Sequence, residues 1–216
     1  MKCYNQTCKK GENMARLTNE SYPVLTVSDI KKPVVFVIDM VNGFTEEGAL
    51  ADPAIARIAS DIRSLINTLD CASVFVCDSH PPHTREFEAY PPHCVIGTAE
   101  AEIASSLADL AAVVLKKNST NAFVAPDFQA WLADHESTYS DWIITGCCTD
   151  LCVLQFALSL QAWLNEHNRT DQRIIVPADC VDTYDMANVH AAPFWNEVAL
   201  ANMAANGITI VKTITQ

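Results

Sequence analysis

Six short apolar runs alternate with stretches of helical period along this chain, and that alternation predicts the architecture. The runs are 33–39 (PVVFVID), 73–77, 112–115, 142–145, 173–177 and 208–211, all nearly unbroken by polar side chains and rich in β-branched residues. Strands of that kind are covered on both faces, because a strand with one wet face alternates apolar and polar residues. Helical patterns lie between them near 53–69, 99–109, 126–135, 150–166 and 186–206. Such alternation implies an α/β fold: a doubly wound three-layer sandwich with a mainly parallel central sheet and right-handed crossovers. Residues 1–32 are polar and without clear period before 22–27, so they read as an N-terminal arm of uncertain order ahead of a domain at 33–216. The 150–166 helix is apolar nearly all round, as expected of deep core burial or of a contact in a homo-oligomer.

Composition narrows the class. At 216 residues, half of them hydrophobic, the chain can bury the core of one large domain. A formal net charge of -12, with no basic cluster larger than Lys9-Lys10, Lys31-Lys32 or Lys116-Lys117, argues against nucleic-acid and anionic-membrane partners. Nine cysteines, an odd number, and no apolar leader at the N-terminus make a disulfide framework unexpected and reduced thiols in a cytoplasmic setting the expectation. No apolar run approaches the roughly 20 residues that span a bilayer.

In doubly wound sheets, ligands sit beyond the carboxyl ends of the strands. The first strand ends in Asp39, the second runs into Asp78, and the third into Lys116 and Lys117. The fourth meets Gly146 and then a helix start at Thr149 or Asp150, which places Cys152 in the first helical turn. Unpaired N–H groups and the helix dipole there are expected to favour a thiolate. Since neighbouring strand residues face opposite sides, only one of Lys116 and Lys117 can point at the site. An acid, a lysine and a helix-tip cysteine together suit a nucleophile, its proton acceptor and a cationic stabiliser.

The loop DSHPPHTREFEAYPPHC at 78–94 adds a second cluster: Asp78, His80, His83, Glu86, Glu88 and His93. A carboxylate and an imidazole two residues apart, with another imidazole returning later, suit a divalent ion such as zinc, manganese or iron. Cys94 carries little weight as a ligand. The other three histidines, His135, His167 and His190, lie in stretches that read as surface helix.

FVIDMVNGF at 36–44, a lysine six residues before Phe123, and GCCTDLCV at 146–153 together resemble the three signature segments of the isochorismatase-like cysteine hydrolases. The resemblance spans about 33–213 and implies a catalytic triad of Asp39, Lys117 and Cys152, with Lys116 a solvated neighbour. It further implies an oxyanion hole from the backbone N–H groups of Cys148 and Cys152, and a cis Cys147–Cys148 peptide. Asn121 and Leu151 depart from residues common in the family. Asp78-x-His80, PPHC and Gly97-Thr98 resemble its nicotinamidase branch. That likeness implies a small carboxamide, nicotinamide, as substrate. It implies one divalent metal, zinc before manganese or iron, on Asp78, His80 and His93, with Glu86 favoured over His83 as a further ligand. It also implies a substrate pocket with Phe44 and Tyr90 flanking the ring and Cys147 and Leu151 nearby. Two alternatives stay open: another small-molecule amidase or hydrolase of this family, and a noncatalytic thiol-sensing or binding protein suggested by the cysteine excess.

Overall fold

A computed structural model of the chain describes residues 22–216; the arm expected at 1–32 lies outside the described residues as far as residue 21. From there, β1 (Val24–Thr26) leads to β2 (Pro33–Ile38), the short α1 (Asn42–Thr45), α2 (Ala59–Leu69), β3 (Ala72–Asp78) and β4 (Val113–Lys117). Next come α3 (Pro126–His135), β5 (Asp141–Cys147), α4 (Leu154–Glu166), β6 (Arg173–Pro177), β7 (Val181–Asp182), α5 (Ala192–Ala205), β8 (Thr209–Val211) and β9 (Thr213–Thr215). The main sheet runs β4-β3-β2-β5-β6-β8, with β7 beside the end of β5. Every strand pair is parallel, including β1 with β9, which ties residues 24–26 to the end of the chain.

At the edge strand β4 one face is open, Val114 being exposed against expectation; why both faces are covered at the centre of the sheet is visible in β2. Val34, Phe36 and Ile38 point into one core, while Val35 and Val37 point into the other. The period of two sends successive side chains to opposite layers, so an unbroken apolar run serves both. In the first core Phe36 meets Phe128 and Trp131 of α3, Phe156 of α4 and Trp142 of β5. α4 contributes Phe156, Ala157, Leu160 and Leu164 to that layer and α5 contributes Leu200 and Met203; α2 covers the other face with Ile62, Leu65, Ile66 and Leu69.

Three helical expectations shift. The stretch 99–109 holds only 3₁₀ turns at Ala99–Ala101 and Ala108–Leu110. Its backbone is engaged elsewhere: Ala104 N donates to Met40 O, Glu102 O accepts from Asn42 N, and Ile103 bridges Val41. A segment bonding sideways to the β2–α1 connection cannot also close helical rings. The helix expected at 150–166 opens as a π turn, Thr149–Val153, before α4 begins. The helix expected from 186 starts at Ala192, with Pro193 in its first turn, where a missing N–H costs nothing.

The chain travels outward from β2 through β3 and β4, then returns to β5 on the other side of β2. This reversal sets the carboxyl ends of β2 and β5 side by side and forms the topological switch point where such folds bind ligands. Gly146 makes the close approach possible. Its φ is +105°, and a Cβ there would stand 2.0 Å from the Ile38 carbonyl oxygen. Gly146→Ala is therefore expected to destabilise the domain by about 3 kcal/mol or more. A urea titration showing an unchanged midpoint would contradict this.

Candidate active site

The switch point gathers charge that the sequence leaves scattered. Asp39 closes β2 with φ of +52°. Its N–H donates to Val76 O at 2.9 Å, and its Oδ1 accepts from Asp78 N at 2.8 Å, which locks the carboxylate between β2 and β3. β3 and β4 pair Asp78 with Lys117, so the two side chains emerge together. Lys117 Nζ lies 2.7 Å from Asp39 Oδ2, 2.5 Å from Asp78 Oδ1 and 3.7 Å from Cys152 Sγ. One ammonium thus bridges two carboxylates and touches the thiol. Lys116, one residue earlier, is exposed, as strand parity requires.

All of these groups are shielded from water, and burial shapes their protonation. It pushes the Cys152 thiol well above its ordinary value, against the pull of the Lys117 ammonium. The expected thiolate is thereby corrected: in a buried site, desolvation of the anion outweighs a helix terminus, and the resting group is a thiol. Burial and the neighbouring Asp78 charge raise the Asp39 carboxyl to about 6. Asp78 goes the other way; burial raises it, but the ammonium and both imidazoles together hold it well below the carboxylate range. Asp39 Oδ2 meets the Lys117 ammonium at 2.7 Å, and the Asp39, Asp78 and Cys152 donor atoms lie within 4.8 Å of one another. A carboxylate of raised basicity beside a buried thiol can take its proton.

Asp78 also belongs to the second cluster. Its carboxylate and the imidazoles of His80 and His93 present donor atoms within 4.8 Å of one another. Both rings turn outward at Nδ1: His80 to Asn118 Oδ1 and His93 to Pro91 O, each at 2.8 Å. Both partners are acceptors, so Nδ1 donates to them, and each Nε2 faces Asp78, at 3.5 and 3.6 Å. His80 Nε2 is buried without a hydrogen-bond partner. An orphaned ring nitrogen, a carboxylate and a second fixed imidazole fit a divalent ion of the zinc type. Glu86 lines the adjoining cavity, its carboxyl raised by burial and by the Asp78 charge, but stands outside this three-donor group. His83 faces solvent.

Cys152, Asp78 and His93 open onto a cavity of about 350 Å³, walled also by Phe44, Tyr90, Cys148 and Leu151. Phe44 and Tyr90 flank His93, with ring centroids 5.6 and 6.2 Å from it. Cys147, expected in this wall, is elsewhere: fully buried, its thiol donates to Asp39 O at 3.2 Å. The Cys147–Cys148 peptide is cis. Sequence reasoning missed Thr120, Asp52 and the Tyr184–Met186 segment, which also wall the cavity, and Asn118, which orients His80. For Asn118 a signal existed, since it directly follows Lys117 at the strand end. For the loop residues none did. His190, expected on a surface helix, is buried and bonded to Asp150 at 2.8 Å.

Fold and geometry together define a class: an α/β protein with a cysteine, an ammonium and paired carboxylates at the switch point of a parallel sheet. Residues 33–214 match the isochorismatase domain, and the chain belongs to that family, the isochorismatase-like hydrolases. It is 28% identical over 161 residues to nicotinamidase 1 of Arabidopsis thaliana, a match covering 64% of this chain and 63% of that relative's length. Among solved structures, the nicotinamidase/pyrazinamidase of Bacillus subtilis is 26% identical, with a TM-score of 0.64 over 83% of this chain and 99% of that one. N-carbamoylsarcosine amidase of Thermoplasma acidophilum is 25% identical, with a TM-score of 0.65 over 84% and 96%. No helix among the described residues is long and apolar enough to cross a membrane.

Proposed function

We propose that this chain is a metal-bearing cysteine amidohydrolase that converts nicotinamide into nicotinate and ammonia through a thioester on Cys152. The observation that carries this reading is the Lys117 ammonium held between Asp39 and Asp78, in contact with the Cys152 thiol, beside a cavity whose wall includes the Asp78 and His93 donors.

Asp39 takes the thiol proton as sulfur attacks the carboxamide carbon. The transfer is uphill in the free site, given a raised thiol, and is drawn forward by formation of the C–S bond. Backbone N–H groups of Cys148 and Cys152 hold the oxyanion. The C–N bond then breaks, Asp39 returns its proton to nitrogen, and ammonia leaves. Water gives a proton to Asp39, its oxygen attacks the thioester carbon, and the C–S bond breaks while Asp39 hands the proton back to sulfur. Throughout, the Lys117 ammonium neutralises the charge that passes between Asp39 and Cys152. Phe44 and Tyr90 flank the ring, and Leu151 closes the cavity beside the nucleophile. Asp78, His80 and His93 would hold the ion, zinc before manganese or iron, whose chemistry is to accept a ring-nitrogen lone pair and so orient the carboxamide. Glu86 is the added carboxylate available beside them.

Purified, zinc-loaded protein is expected to release ammonia from nicotinamide. Intact nicotinamide alongside turnover of N-carbamoylsarcosine or another small amide would overturn the substrate assignment and leave the chemistry. No turnover of any amide, with iodoacetamide labelling Cys147 or Cys148 ahead of Cys152, would favour the thiol-sensing alternative. His93→Ala is expected to weaken zinc binding about 100-fold or more, since loss of even an outer partner of a metal ligand costs 10–100-fold. Competition with a fluorescent chelator reads this directly, and an unchanged affinity would remove His93 from the ligand set.

A further inference from the structure

The cavity wall formed by Tyr184, Asp185 and Met186 belongs to a loop that follows β7 and takes no part in the chemistry above. We infer that His190 and Asp150 are positioning residues that fasten this loop onto the nucleophile turn and thereby set substrate affinity; the inference rests on the amidohydrolase reading. Asp150 precedes Cys152 by two residues on the π turn. Its Oδ1 accepts from Thr183 Oγ1 at 2.6 Å, and its Oδ2 from His190 Nε2 at 2.8 Å. The other ring nitrogen, Nδ1, donates to the Tyr184 carbonyl at 2.8 Å. Both side chains of the pair are only 8% exposed. The imidazole also stacks on Tyr184, with centroids 3.9 Å apart, and on Trp195 of α5 at 5.3 Å.

One ring thus bonds the Tyr184 carbonyl through Nδ1 and the Asp150 carboxylate through Nε2, bridging the loop and the nucleophile turn. Hydrogen bonds made out of water at both nitrogens of a rigid ring are a directional tie. Here it holds the Tyr184 backbone and stacks on the Tyr184 ring, so the position of one cavity wall is fixed relative to the turn that carries Cys152. The backbone bonds of the loop close on the same residue, Met186 N donating to His190 O and His190 N to Met186 O. A wall that contacts the body of the substrate, and not the reacting amide, contributes equally to ground-state and transition-state binding. Its loss appears in KM and spares kcat.

The test compares His190→Ala and Asp150→Asn with wild-type protein, all zinc-loaded. In His190→Ala, KM for nicotinamide is expected to rise about tenfold with kcat within about threefold. Hydrogen exchange of the 183–190 amides should quicken, and iodoacetamide should label Cys152 at the wild-type rate. Asp150→Asn supplies the conservative rescue. Its amide can still hydrogen-bond Nε2 while Nδ1 keeps the Tyr184 carbonyl, and KM should stay within about threefold of wild type. Where His190→Ala fails to fold, His190→Phe, which keeps the stacking on Tyr184 and Trp195 and removes both ring bonds, carries the same comparison. Unchanged exchange across 183–190, or a loss confined to kcat with slowed Cys152 labelling, would overturn the clamp. Should wild-type protein leave nicotinamide intact, the functional reading fails by itself, and the clamp is then decided by the exchange measurement.

Discussion

Cys152→Ala is expected to abolish ammonia release from nicotinamide, a fall of at least ~10⁴-fold in kcat, because no other group can form the covalent intermediate in its place. The neighbouring thiols do not substitute: Cys147 is fully buried with its sulfur on Asp39 O, and Cys148 lies at the cap of the turn, outside the set of atoms that meets Lys117 and Asp39. The substitution trades a buried thiol for a methyl group beside apolar Val153, so the fold and the three metal donors should persist. Zinc affinity and near-ultraviolet circular dichroism therefore serve as controls. Residual turnover within tenfold of wild type would show that the thiol is not the nucleophile.

Lys117→Met should cost both activity and the fold. The ammonium is buried within 2.7 Å of one carboxylate and 2.5 Å of another. Removing a partner from a buried ion pair leaves uncompensated charge and typically costs 3–5 kcal/mol, and here two acids lose their counterion at once. One of them would have to take up a proton. Asp39, whose carboxyl is already raised by burial and by the charge of Asp78, is the one expected to do so. Adding Asp39→Asn to Lys117→Met removes that excess charge and should recover roughly half the lost stability, with no recovery of turnover because the proton acceptor is gone. Urea denaturation of the two single variants and the double variant measures the coupling. Strictly additive losses would mean that Lys117 and Asp39 do not act as a pair.

The sequence by itself determined the layers and picked out most of the residues that meet at the switch point. The unbroken run PVVFVI is covered on both faces at the centre of the sheet, whereas the similar run at 112–115 forms edge strand β4 and leaves Val114 46% exposed. Parity along 113–117 left room for one inward lysine. The Asp78-x-His80 spacing in extended chain put two donors on one side. These are local consequences of period and residue type, readable without partners. What the tertiary structure alone decided depends on register and competition. Pairing Asp78 with Lys117 across β3 and β4 made one carboxylate face both the two imidazoles and the ammonium, which no linear spacing reveals. Burial then reversed the expected ionisation of Cys152, because desolvation depends on what surrounds a group and not on its neighbours in the chain. The helical pattern at 99–109 yielded because its donors and acceptors were taken by the β2–α1 connection. His190, placed by period on a surface helix, lies instead in a loop drawn inward by Asp150, since a partner forty residues away outweighs local propensity.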